Sequence, residues 1–160
     1  MNNRLILFLI DGMRPDGLQQ ADAPTLQRLM RQGSATLTAQ TVMPSVTLPC
    51  HASLFLGVRP ERHGITTNTW TPPARPVPGL VDELHRAGKS TAMFYNWEQL
   101  RDLSQPDALH ASFFLKNCYD PQGSGDTALS ELAAAWLARH SYDFIFVYLG
   151  YVDTAGHDQG

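Results

Sequence analysis

Two continuous apolar runs frame the chain. Residues 4–10 read RLILFLI and residues 142–149 read YDFIFVYL. Such runs, with little polar alternation, are expected of strands covered on both faces of a parallel sheet. Between them apolar positions recur at helical spacing. Ala23–Arg31 carries Leu26, Leu29 and Met30, with Pro24 near its start and Gly33 beyond its end, the usual punctuation of a helix. Val77–Ala87 places Leu80, Val81 and Leu84 on one face, and Asp126–His140 does the same with Leu129, Leu132, Ala133, Trp136 and Leu137. Glu98–Leu103 reads as a short helix. Ser90–Tyr95 and Ala111–Leu115 read as further strands, and Ala35–Val42 alternates weakly, as a strand would. Gly64–Pro78 is rich in Thr and Pro and reads as a loop that can shape an entrance or merely connect. Strands alternating with helices predict an α/β fold, a mostly parallel central sheet flanked by helices.

The stretch Thr41–Ile65, TVMPSVTLPCHASLFLGVRPERHGI, carries the first sign of chemistry. Pro49 suits the first turn of a helix, and Thr47 stands where an N-cap would. Unpaired N–H groups and partial positive charge at that end suit a phosphate. The plainer reading of Thr47 is a cap and nothing more. Two acidic positions add to it. Asp11 follows the first apolar run and Asp153 follows the last. Ligands of open α/β sheets gather at the carboxyl ends of the strands, so both carboxylates are expected on one rim. Each also has an ordinary use, Asp11 as a cap for the turn at Gly12 and Asp153 in an Asx-turn.

Asp153 and His157 are separated by three residues, Gly156 among them. A carboxylate and an imidazole so spaced can close on one cation, and both suit Zn²⁺ at ~2.0–2.2 Å. A cation beside the Thr47 hydroxyl would lower its pKa and make it a nucleophile. A second, ~4 Å away, would assist an in-line displacement at phosphorus.

Composition narrows the field. A chain of 160 residues, 43% hydrophobic, suits one domain with a sizeable core. A net charge of −3 without runs of like charge gives no nucleic-acid or membrane surface. Cys50 and Cys118 are too few for a disulfide framework, and two independent reduced thiols suit the cytoplasm. The apolar run before Asp11 is too short for a signal-peptide core or a membrane span. The sequence closes on a polar cluster, YVDTAGHDQG, where domains usually close on a packing element. Residues 1–160 are therefore expected to be the N-terminal part of a single catalytic domain. Such a part would expose apolar surface and self-associate.

IDG at Asp11, MPSVTLPCHASLFLGVRPERHGI around Thr47 and YVDTAGHD at Asp153 and His157 together resemble the nucleotide pyrophosphatase/phosphodiesterase (type I phosphodiesterase) family of the alkaline phosphatase superfamily. The resemblance implies an alkaline-phosphatase-like sheet with two zinc ions at its C-terminal rim. It implies that Asp11 and Thr47 touch one zinc, that Thr47 forms a phospho-threonine intermediate, and that Asp153 and His157 hold the other. An Asp-His pair and a further His complete the set later in the family's sequence, so this chain carries about half of it. Better-known members often have Asn three residues after the nucleophile, contacting a phosphoryl oxygen, where this chain has Cys50, a weaker donor.

Cys50 and His51 are thus candidate substrate contacts, with a small buried hydrophobe and a structural helix histidine as the plainer alternatives. His63 and Gly64 read as structural, and Arg59 and Lys89 are cations that nothing in the pattern ranks. Thr47 cannot become the formylglycine of a sulfatase. The expected activity is hydrolysis of a small phosphate diester or nucleotide pyrophosphate. The alternatives are a phosphomonoesterase of the same superfamily and, in another class, a non-catalytic binding or assembly module.

Overall fold

The computed structural model describes residues 4–116, 120 and 122–159. Four strands form one parallel sheet in the order β1-β4-β2-β3: β1 (Leu5–Ile10), β2 (Thr91–Tyr95), β3 (Ala111–Phe114) and β4 (Phe144–Leu149). Helices α1 (Pro15–Gln20), α2 (Pro24–Gln32), α3 (Thr47–Leu56), α4 (Pro60–His63), α5 (Leu80–Arg86), α6 (Ser124–Leu137) and α7 (Tyr151–Gln159) surround it, with a 3-10 segment at Glu98–Leu103. The α/β reading of the sequence thus holds. Among the described residues no helix is long and apolar enough to cross a membrane.

The sheet divides the core in two. Phe144, Phe146 and Tyr148 of β4 and Met93 and Tyr95 of β2 face Leu48, Ala52 and Phe55 of α3 and Val81 of α5. Ala92, Phe94, Ile145 and Val147 face Leu129 and Ala133 of α6. Successive side chains of a strand point to opposite faces, so only residues apolar throughout can serve both layers. This is why β2 and β4 carry no polar alternation. The edge-on contact of Phe55 with Phe146, 4.9 Å between centroids, sets α3 against β4 and brings its N-terminal end to the rim.

The structure corrects several expectations. β1 is an edge strand, not one covered on both faces. Leu7 and Leu9 pack on the core, whereas Leu5 is 61% and Phe8 60% exposed. An apolar run reports affinity for a covered face; the number of neighbours is set by topology. Residues 35–42 form no strand, since none of the four paired strands adjoins them and an unpaired strand leaves its backbone groups unbonded. Thr47 is the first helical residue, with Val46 as the N-cap. Asp153, whose plainer reading is an Asx-turn at a strand end, lies instead in α7. Helices α1 and α4 were not anticipated. Cys118 lies outside the described residues, and Cys50 is a free thiol.

At the amino ends of the central strands, the Asp143 carboxylate accepts from the Ser90 amide at 2.9 Å and from its hydroxyl at 3.0 Å. These bonds hold its pKa below the usual 3.8. A carboxyl depressed on folding stabilises the protein above its unfolded pKa and loses that contribution as pH falls through the folded value. Asp143→Asn is therefore expected to lower the melting temperature at neutral pH. The difference from the parent should shrink in acid, below the range where an ordinary carboxylate titrates. A constant difference from pH 7 to pH 2 in thermal melts would contradict this.

Candidate active site

The carboxyl ends of β1 and β4 lie side by side, with Ile10 opposite Leu149 and the Asp11 amide donating to the Leu149 carbonyl at 3.0 Å. Asp11 and the start of α7 therefore emerge together. Gly12, at φ +69°, turns the chain away so closely that a Cβ there would stand 2.5 Å from the Asp153 Cα. Only glycine serves at this approach. Asp11, Thr47 and Asp153 then line one small cleft with Asn68, Trp97, Tyr148, Gly150 and Thr154. The three residues come from distant parts of the sequence, as the rim argument anticipates. A wider groove continues from it past Met13, Arg14, Thr41, Cys50 and Leu54.

Each acid is held differently. Asp11 accepts from the Tyr148 hydroxyl at 2.7 Å and from the Gly12 amide at 3.1 Å. Asp153 has its pKa raised by burial and by the Asp11 charge, with His157 opposing. His157, one helical turn on, places Nε2 3.6 Å from Asp153 Oδ2, and its side chain is 81% exposed. The i, i+4 spacing on α7 puts this pair on one face.

The start of α3 is less open to an anion than the sequence suggests. The Leu48 amide donates to Asn68 Oδ1 at 2.9 Å and the Cys50 amide to the Val46 carbonyl at 3.1 Å. Pro49 has no N–H. The Thr47 amide is what remains. Asn68, which sequence reasoning passed over inside a Thr- and Pro-rich loop, lines the same cleft; Oδ1 takes the Leu48 amide, so its NH₂ is the group able to donate. No spacing pattern points to a lone Asn, and only the fold brings it there.

His51 is 3% exposed, edge-on to Tyr148 at 5.3 Å. Its Nδ1 lies 2.7 Å from the Thr47 carbonyl, so Nδ1 carries the proton. Burial lowers its pKa, against the Thr47 bond and the Asp11 charge. Its place beneath the cleft accords with the structural alternative. The Cys50 thiol points to the Pro44 carbonyl at 3.9 Å while lining the wider groove. His63 takes the Ile65 amide on Nδ1 at 3.0 Å and meets Ser53 Oγ at 2.9 Å, a structural role as expected. Lys89 pairs with Asp143 at 3.9 Å at the opposite end of the sheet. Arg14 lines the wider groove and is bound to Asp16 at 2.7 Å.

Carboxylate, imidazole and hydroxyl are donors that divalent cations accept. Burial first, and the Asp11 charge second, raise the pKa of Asp153; a cation beside it would oppose both. Among the described residues, however, no three His, Cys, Asp or Glu side chains gather to hold a metal. The donor set fits in kind and is short in number. A carboxyl raised on folding opposes folding once ionised. In chelator-treated protein, Asp153→Asn is expected to melt higher than the parent, the gain growing as pH rises from about 3.8 through the raised value. An unchanged or lower melting temperature at pH 7 would show that ionised Asp153 is not opposed by its burial and the Asp11 charge.

The sequence matches the family model for type I phosphodiesterase / nucleotide pyrophosphatase over residues 5–160. A bis(5'-adenosyl)-triphosphatase of Xenopus laevis is 38% identical over 65 residues, covering 41% of this chain and 14% of the relative. The ectonucleotide pyrophosphatase/phosphodiesterase family member 7 of Mus musculus is 24% identical over 184 residues, covering 99% of this chain and 40% of the relative. The family member 1 of Homo sapiens is 35% identical over 65 residues, covering 39% of this chain and 7% of the relative. The chain thus spans well under half of each of these relatives. With a family model matched over nearly its whole length, the chain belongs to the type I phosphodiesterase/nucleotide pyrophosphatase family.

Proposed function

We propose that this chain carries the nucleophile and part of the metal site of a hydrolase of phosphoric esters. Its substrates would be phosphodiesters or nucleotide pyrophosphates, the chemistry named for its relatives. The observation that supports this most is the meeting of Asp11, Thr47 and Asp153 in one cleft at the carboxyl rim.

In this reading Thr47 Oγ attacks phosphorus and forms a P–O bond. The bond to the leaving alcohol or nucleotide breaks, and the hydroxyl proton passes to solvent. Water then attacks the phospho-threonine, releases the phosphate product and restores the hydroxyl. Asp11 and Thr47 would hold one divalent cation, and Asp153 and His157 a second, each set completed by ligands beyond those described. Such cations, zinc by donor chemistry, supply a lowered hydroxyl pKa and a counter-charge for the phosphoryl group. The Asn68 NH₂ and the Thr47 amide are placed to donate to a phosphoryl oxygen, the work of an oxyanion hole.

Thr47→Ala, in the protein as its gene encodes it, is expected to lower turnover of an aryl phosphate diester at least about a thousandfold. Metal content by elemental analysis should stay the same. Turnover close to that of the parent would overturn the nucleophile assignment. The parent is expected to hydrolyse the diester faster than the matching monoester and to lose activity on chelation. A faster monoester rate would point to a phosphomonoesterase instead.

A further inference from the structure

Helix α7, which carries Asp153 and His157, begins directly after β4, and its opening turn is held from α6. The Asp126 carboxylate, in the first turn of α6, accepts from the Gly150 amide at 3.1 Å on Oδ1 and from the Tyr151 amide at 3.1 Å on Oδ2. These are the amides that open α7, the groups a helix cannot satisfy internally. Asn96, directly after β2 and 1% exposed, donates its NH₂ to Asp126 Oδ1 at 2.6 Å. The carboxylate is therefore gripped from the end of β2 while it grips the end of β4. Its charge also suits the amino ends of both helices. Tyr151 packs so closely on the turn before α6 that a Cβ at Gly123 would stand 2.8 Å from its ring.

We propose that Asp126 is a positioning residue for the active site, a cap supplied by α6 that fixes the turn between β4 and α7 and so sets where Asp153 and His157 stand. The role in metal binding rests on reading those two residues as ligands; the role in fixing α7 does not. Both oxygens of Asp126 are engaged by the α7 amides, and Oδ1 also by Asn96. Its influence passes through the backbone. Asp153 lies two residues into the helix, against Gly12, where no sideways adjustment is free.

Amide hydrogen exchange on the full chain, metal-free and during titration with Zn²⁺, tests this. Asp126→Asn keeps the shape and replaces one accepting oxygen by a donor. The Gly150, Tyr151 and Thr154 amides are expected to exchange at least about tenfold faster, with α3 unchanged. The Zn²⁺ concentration that half-protects α7 should rise about ten- to a hundredfold, as for lost partners of metal ligands. Asp143→Asn, which removes the charge that takes the Ser90 amide and hydroxyl at the other end of the sheet, should lower the melting temperature without either effect. Should Asp126→Asn fail to fold, Asp126→Glu keeps the charge one methylene too long and is read in the same way. Unchanged exchange at Gly150 and Tyr151 overturns the proposal, as does an equal response in Asp143→Asn. If Asp153→Asn leaves the Zn²⁺ response of the parent unaltered, the ligand reading fails. Exchange in metal-free protein then still decides whether Asp126 fixes α7.

Discussion

Two carboxylates that repel each other are held a few residues from neighbouring strand ends, and the rest of the rim follows from that constraint. The pairing of β1 with β4 delivers Asp11 beside Gly150. Tyr148 fixes Asp11 from the core side, and Asp126 fixes the start of α7 from the helix side. Neither hold involves the other, so the acids cannot drift apart without breaking one of them. The strain appears in the raised pKa of Asp153. Buried groups of like charge are costly unless neutralised by a proton or a cation.

The core explains why the arrangement is stiff. Tyr148 serves two purposes: its ring lies in the layer beneath α3, and its hydroxyl reaches the rim. His51 stands edge-on to that ring and donates to the Thr47 carbonyl. The backbone of Thr47 and the side chain of Asp11 are thus referred to one aromatic residue of β4. A close-packed interior transmits small displacements with little loss. Repacking around Tyr148 would therefore be felt at both positions.

How much of this the sequence discloses depends on whether a feature is local. The strands were legible because β2 and β4 must be apolar on both faces, and Asp11 and Asp153 because they follow such runs. Thr47 was legible through Pro49 and its apolar helix. The number of strands beside β1 was not, since an edge strand and a central one share the same apolar composition. Asn68 and Asp126 were not legible either. A single Asn in a loop and a single Asp near a helix start are common, and their partners lie 20 and 24 or 25 residues away. Asp153 lies in a helix, not in the Asx-turn that was its plainer reading, and the Asp126 carboxylate that takes the opening amides is a partner that no property of YVDTAGHD reveals.

The one-residue difference at Thr47 has a chemical consequence. As an N-cap, its hydroxyl would accept from the second or third helical amide and be occupied. As the first helical residue, it has no such duty. The Leu48 amide is taken by Asn68, and Pro49 removes the next. The cap is Val46, whose side chain has no oxygen to offer. A loop asparagine and a proline together release the threonine from the structural task its sequence position suggests. Thr47 lines the cleft with Asp11 and Asp153. With Val46 at the cap and no side-chain cap bond there, the plain reading of Thr47 as a cap does not hold in this geometry.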